Sequence, residues 1–308
     1  MNRDISYTEH FFAYIDIMGY KNLVNQVEKG EREAIDVISS LKELIEERIQ
    51  IHIDETNKSW GKSDYPAIIK YIIFSDCICL YAPTYPEKKE MPRSIYSEKY
   101  SQEYTDRNYI LLNQFLLMVA DIQMFGLKNN LIFRGAITMG NHYSDNTIMF
   151  SKALVDAYLA ETNEAIYPRV IIKTTDDNYL SMYQTINGLV NDGKVLRDGN
   201  SIFVDYIGRI NALRYINPDL AKMYILFQHQ IIIDGLEKYK DDIKVLEKYK
   251  WLAEYYNYMR LDSLGIDAID IDSSISNINN KIVYPAEEDY EIPDVDIIIT
   301  PNGIYIRN

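Results

Sequence analysis

Two acidic residues interrupt otherwise apolar, strand-like runs. Asp16 sits within Phe11-Phe12-Ala13-Tyr14-Ile15-Asp16-Ile17-Met18-Gly19-Tyr20, and Asp76 within Ile72-Ile73-Phe74-Ser75-Asp76-Cys77-Ile78-Cys79-Leu80. A carboxylate in such a run is costly to desolvate unless it is paired, hydrogen-bonded or metal-bound. Each of the two falls where a strand is expected to end. Together they point to one divalent-cation site of the kind that handles nucleoside triphosphates.

The residues around Asp16 suit that chemistry. Asp16 would bind Mg²⁺ or Mn²⁺, since hard cations take oxygen ligands. Gly19 would let the backbone N–H groups of Met18, Gly19 and Tyr20 approach phosphates at a helix N-terminus. The competing reading is a helix N-cap Asp followed by a turn glycine. Asp76 supplies the second carboxylate, and two ions between the pair would activate a ribose 3′-hydroxyl and neutralise a leaving pyrophosphate. Taken singly, Asp76 reads as an Asp stabilising its own turn; only the combination favours a site. Arg134, before Gly135 in a third apolar run, needs an anionic partner if buried. That partner is either a phosphate or one of the acids. Lys21 and Lys70 read as solvated side chains.

The elements that must position these groups follow from periodicity. Residues 10–18 form a first strand, and helices follow with a break at Glu28-Lys29-Gly30-Glu31. Residues 54–64 form a polar connection. Residues 66–82 are too long for one strand of about 5–6 residues and form a hairpin turning at Ser75-Asp76. The Pro-, Tyr- and Lys-rich stretch 83–107 is an insertion or loop. A helix over 111–127, a strand over 131–139, a polar turn over 140–146, a helix over 151–161 and a strand over 167–173 complete the order. That β-α-β-β-α-β-α-β order is a split β-α-β, α+β plan with a mainly antiparallel sheet and helices on one face. The first unit is 8–175; 176–308 is a mostly helical C-terminal extension with an acidic tail.

A net charge of −14 argues against a broad basic surface for nucleic acid or anionic membrane. A metal and a few local cations can still reverse the field in one pocket. No signal-like N-terminus and no apolar stretch near the roughly 20 residues of a membrane span stand out. Cys77 and Cys79 read as buried reduced thiols of a cytoplasmic protein. His10, His52, His142 and His229 lack ligand spacing. The 27 Tyr, against 9 Phe and 2 Trp, read as fillers of half-buried positions.

The chain resembles the nucleotidyl cyclase catalytic domains of the adenylate/guanylate (class III) superfamily. The matching motifs are Asp16-Ile17-Met18-Gly19-Tyr20, Ser75-Asp76 in place of Gly-Asp, and Arg134-Gly135-Ala136-Ile137-Thr138-Met139-Gly140. It is more similar still to the pyrimidine cyclases of Pycsar antiphage defence. That similarity rests on Phe150–Tyr158, Tyr167-Pro168-Arg169-Val170 and Lys248–Asn257, and spans roughly residues 10–260.

The resemblance implies a palm/ferredoxin-like domain that converts UTP or CTP into a 3′,5′-cyclic mononucleotide and pyrophosphate. Asp16 and Asp76, with the backbone at Ile17, would hold two Mn²⁺ or Mg²⁺ ions. Ile17, Met18, Gly19 and Tyr20 would hold the triphosphate. A homodimer would form the site, and the product would activate a separate effector protein. The chain departs from the purine cyclases where they carry an Asn and, four residues on, an Arg. Here those positions fall at Val155 or Asp156 and at Leu159 or Ala160. The transition-state cation is then Arg134, Lys152 or a residue of the partner chain. The alternatives are a catalytically silent nucleotide-binding module and a purine cyclase.

Overall fold

The computed structural model describes residues 7–31, 33–61, 66–84, 102–173, 193–199, 201–259 and 266–271, with strands Ile282–Val283, Asp296–Thr300 and Gly303–Arg307. The first strand, β1 (Thr8–Met18), alternates as a strand between two layers must. Phe11, Ala13, Ile15 and Ile17 are buried on one face, and Phe12, Tyr14 and Asp16 point to the other. Gly19 then takes φ 77°, a left-handed conformation that suits glycine, and α1 (Tyr20–Glu28) starts at once. Next come α2 (Ala34–Trp60), the hairpin β2 (Lys70–Phe74) and β3 (Cys77–Pro83), α3 (Gln102–Gly126), β4 (Ile132–Ser144), β5 (Met149–Ser151), α4 (Lys152–Glu164) and β6 (Val170–Ile172).

The chain continues with β7 (Val195–Asp198), β8 (Ser201–Val204), α5 (Tyr206–Leu213), α6 (Pro218–Lys238), α7 (Ile243–Met259) and β9 (Ile282–Val283). The main sheet has nine strands in the order β2-β3-β1-β4-β6-β8-β7-β9, with β5 paired to β4. Among the described residues every pairing in it is antiparallel except β4 with β6. β3 lies between β1 and β2, which is the split β-α-β arrangement expected of an α+β plan. A last hairpin, β10 (Asp296–Thr300) and β11 (Gly303–Arg307), forms its own two-stranded sheet.

The main core lies between the Phe11/Ala13/Ile15/Ile17 face and α2 and α3. A smaller cluster of Phe12, Cys77, Cys79 and Tyr81 packs under Ala153 and Ala157 of α4, so α4 covers the opposite face. The two thiols share that face, with Sγ atoms 4.0 Å apart, as their spacing predicted. The large core also takes in Phe203, Trp251, Tyr255 and Tyr256 of the later elements. Two segments far apart in sequence meet there. Arg169 pairs with Asp198, Trp251 donates its Nε1–H to the same carboxylate at 3.1 Å, and Tyr167 stacks on Trp251 at 5.3 Å. These residues brace the sheet.

Several boundaries differ from expectation. Residues 54–60 continue α2, because its buried stripe is His52, Thr56 and Trp60, not aliphatic residues. His52 meets Gln114 at 2.8 Å and Asp121 at 3.1 Å, and Trp60 donates to the Arg107 carbonyl at 3.0 Å. β4 runs through the expected turn to Ser144, since His142 pairs with Thr8 on one side and Ser151 on the other. The turn falls at Asp145, whose Oδ1 accepts from the amides of Thr147 and Ile148 at 2.8 Å each. Helix α3 begins at Gln102, inside the expected 83–107 loop, of which residues 85–101 lie outside the described part. Strands β7 and β8 were not expected. The segment Asp106–Asn129 is long and apolar enough to cross a membrane, contrary to the sequence reading, and 72% of its most apolar stretch is buried inside the protein.

Candidate active site

Asp16 occupies the third-last position of β1, opposite Cys77 of β3 and Arg134 of β4. Asp76 is in the β2–β3 turn, one residue before Cys77. The Ile17 amide donates to the Asp76 carbonyl at 2.7 Å, which locks the turn beside the end of β1. The two acids expected to form one site are therefore neighbours, Asp16 near the end of β1 and Asp76 in the turn that opens the adjacent β3. Ser75 reaches φ 53° to make the turn, a left-handed conformation that glycine adopts without strain.

Arg134 Nε lies 3.3 Å from Asp16 Oδ2 and 2.7 Å from Oε1 of Glu161, a buried residue of α4. Gly135 makes this close pairing possible. A Cβ there would stand 2.4 Å from the Tyr14 carbonyl oxygen and 3.0 Å from the Ile15 Cα. Burial raises the Asp16 pKa; Arg134 opposes that rise, and the charge of Asp76 adds to it. Burial likewise raises Glu161, with Arg134 opposing and Asp16 adding. Tyr14, beside them, is raised by burial and by Cys77. Lys248 of α7 is lowered by burial and by the neighbouring Arg134, while Asp16 and Glu161 hold it up.

The turn residues Ile17, Met18, Gly19 and Tyr20 line a cavity of about 140 Å³ with Asn130, Asp234, Lys238, Tyr239 and Tyr249 among others. That is small beside the 300–1,000 Å³ of drug-sized sites and suits a phosphate-sized part of a ligand. The cap residue Gly19 has no side chain to satisfy the first amides of α1, and the first turn carries no acid. Those amides therefore face a position that favours an anion. The helical hairpin of α6 and α7 forms the far wall.

Divalent ions fit this donor set. The Asp16 and Asp76 side chains offer oxygen atoms only, and the Asp76 charge works against ionisation of Asp16, a repulsion that a cation relieves. Among the described residues no group of three or more His, Cys, Asp or Glu side chains forms a closed metal cage. Mg²⁺-type sites commonly use one or two carboxylates and complete the shell with water and substrate phosphates.

Lys152 does not join the cluster. It follows Ser151, which pairs with His142 and through it with Thr8, at the end of β1 away from Asp16. Its ammonium is paired with Asp156 at 2.7 Å on the exposed face of α4. Two site residues escaped sequence reading. Glu161 carried a usable signal, since Ala153, Ala157 and Glu161 fall four apart on the buried stripe of α4. Lys248 fell inside the Lys248–Asn257 segment quoted for the resemblance, yet nothing singled it out from the other lysines of α7.

No family model and no curated protein matches the chain. Among solved structures, it is similar to a bacterial light-regulated adenylyl cyclase at 8% identity and a TM-score of 0.31, over 67% of this chain and 53% of that one. The chain thus spans about half the length of that neighbour. At that similarity the match assigns nothing, and the site stands on its own residues.

Proposed function

We propose that this chain is a metal-dependent nucleotide cyclase that converts UTP or CTP to the 3′,5′-cyclic mononucleotide and pyrophosphate. The observation that carries the reading is the juxtaposition of Asp16 and Asp76 across the Ile17–Asp76 backbone bond of 2.7 Å, next to an uncapped helix start. Asp16 and Asp76 would hold two Mn²⁺ or Mg²⁺ ions, with the Ile17 backbone assisting. Bound there, the ions would lower the pKa of the ribose 3′-hydroxyl and neutralise charge on the leaving pyrophosphate. The amides of Met18, Gly19 and Tyr20 would orient the triphosphate. Arg134, fixed by Glu161, would hold Asp16 in place and meet charge developing on the phosphates.

A homodimer fits this reading. Val155, Tyr158 and Leu159 of α4 and Phe150 of β5 are exposed large apolar residues, and Tyr158 packs edge-on against Tyr14 at 5.6 Å. An apolar surface adjoining the site suits a second copy that completes the base pocket. The product would act as a second messenger on a separate effector protein in antiviral defence, as the sequence resemblance suggests.

The test is pyrophosphate release from UTP, CTP, ATP and GTP, each with and without Mn²⁺. Release from a pyrimidine triphosphate only with metal is expected; release from none sinks the proposal. One observation favours a second reading. Arg134 already neutralises Asp16, as a silent nucleotide-binding module would tolerate. Metal-dependent nucleotide binding without turnover would select that module.

A further inference from the structure

Arg134 serves two carboxylates with one nitrogen. It sits directly opposite Asp16 on the paired strand, and its Nε–H donates to Asp16 Oδ2 at 3.3 Å. Glu161 Oε1 lies nearer, 2.7 Å from the same nitrogen, yet this buried oxygen accepts no hydrogen bond. The other oxygen of Glu161 is already used, accepting from the Thr162 hydroxyl at 3.1 Å. The Glu161 side chain is only 5% exposed, so bulk water is a poor source of the missing donor. A buried carboxylate oxygen left without one is costly.

The oxygen that Arg134 does hold is one that a metal ion would use. A dication bound to the Asp16 carboxylate repels a guanidinium 3.3 Å away. Arg134 has a second seat within reach, because Glu161 stands on α4, outside the strand pair that carries Asp16 and Arg134. Turning the Nε–H toward Glu161 would give that oxygen the hydrogen bond it lacks, a charge-assisted one, and would release Asp16 Oδ2.

We infer that Glu161 is a positioning residue for metal binding: it takes Arg134 over from Asp16 as a divalent ion binds there. The guanidinium then stays at the site, where it can meet the phosphates, and the ion gains the oxygen it needs. The inference rests on the reading of Asp16 and Asp76 as metal ligands, and it adds how Asp16 exchanges one cation for another. A Glu161 that acts only as a nearby negative charge makes a different prediction. Its charge would draw in the ion to the same extent whether Arg134 is present or not.

The experiment titrates the full-length protein with Mn²⁺ by calorimetry through a double-mutant cycle. It compares wild type, Glu161→Gln, Arg134→Gln and the double variant, with Asp16→Asn marking the site and thermal melts confirming that each is folded. Glu161→Gln should weaken Mn²⁺ binding about 10-fold more when Arg134 is present than in the Arg134→Gln background. Arg134→Gln alone should bind Mn²⁺ more tightly than wild type. Equal losses in both backgrounds, or an Arg134→Gln that binds no tighter, overturn the inference. A crystal structure of the wild type grown with Mn²⁺ tests it without any variant. Arg134 hydrogen-bonded to Glu161 and off Asp16 is expected there; Arg134 still on Asp16 Oδ2 beside the ion overturns the inference. The expected coupling in a protein that forms no cyclic nucleotide overturns the cyclase reading alone. A wild type that binds no Mn²⁺, or binds it no better than Asp16→Asn, overturns both.

Discussion

Replacing Gly135 with Ala puts one methyl group where β1 and β4 are closest to the paired acids. The new Cβ would lie 2.4 Å from the Tyr14 carbonyl oxygen and 3.0 Å from the Ile15 Cα. Both are backbone atoms of the paired strand, so no side chain can swing aside. Reaching the 3.4 Å of ordinary contact requires the strands to part by about 1 Å, one residue from Asp16 and Arg134. Overpacking of this kind costs about 1–3 kcal/mol. At ~3 °C per kcal/mol for a chain of this size, the melting temperature should fall by roughly 6 °C. A shift of ~1 Å at a catalytic carboxylate is worth on the order of 100-fold in turnover.

Gly140→Ala on the same strand is the control. Its nearest neighbour, the Ala153 backbone nitrogen, would be 3.4 Å away, so its melt should stay within ~2 °C of wild type. The assay is a pair of thermal melts with Mn²⁺-dependent turnover measured on the same preparations. Equal melting temperatures and equal rates for the two variants would refute the close approach and the placement of Asp16 that depends on it.

Two further substitutions test the frame. Ser75→Gly removes a left-handed strain of about 1–2 kcal/mol and adds an unfolded-state entropy cost of about 0.5–1 kcal/mol. A melt ~1–3 °C higher than wild type is expected, and one lower than that of Ser75→Ala would contradict the turn. Asp205 caps α5 by accepting from the Gly208 amide at 2.8 Å, and it also accepts from the Tyr255 hydroxyl at 2.5 Å. Burial pushes its pKa from 3.8 up to about 6. The folded state then holds the proton more tightly than the unfolded chain, so this stability is present below pH ~4 and is lost as pH rises through ~6. Asp205→Asn should therefore gain on wild type in urea midpoint between pH 4 and pH 7, by at most on the order of 3 kcal/mol. Parallel pH profiles for the two proteins would rule this out.

Much of the frame was legible because apolar periodicity reports it directly. β1, the Ser75-Asp76 hairpin, α3 and α4 announce themselves by alternation or by a 3.6-residue stripe. Helix α2 runs past its apolar stripe because His52 and Trp60 bury side chains whose partners lie far away in α3, and Thr56 donates to the His52 carbonyl one turn back. Strands β7 and β8 are only four residues each, below the length at which alternation is distinctive.

Asp16, Asp76 and Arg134 stood out because a charge inside an apolar run is costly and so conspicuous. Glu161 and Lys248 did not, since each sits in a helix with other charged residues. The four-residue spacing from Ala153 and Ala157 is the one sequence hint that Glu161 turns inward; for Lys248 there is none. Lys152 is set apart from them by β5, which places its helix start at the far end of β1.

The central claim is that Asp16 and Asp76 make one metal-dependent cyclising site. The most direct measurement is mass spectrometry of products after incubating the purified protein with UTP, CTP, ATP and GTP together and Mn²⁺, beside Asp76→Ala. Cyclic UMP or cyclic CMP from the wild type, absent from the variant and from a metal-free control, is the predicted result. Cyclic product formed equally well by Asp76→Ala, or none from the wild type, would contradict it.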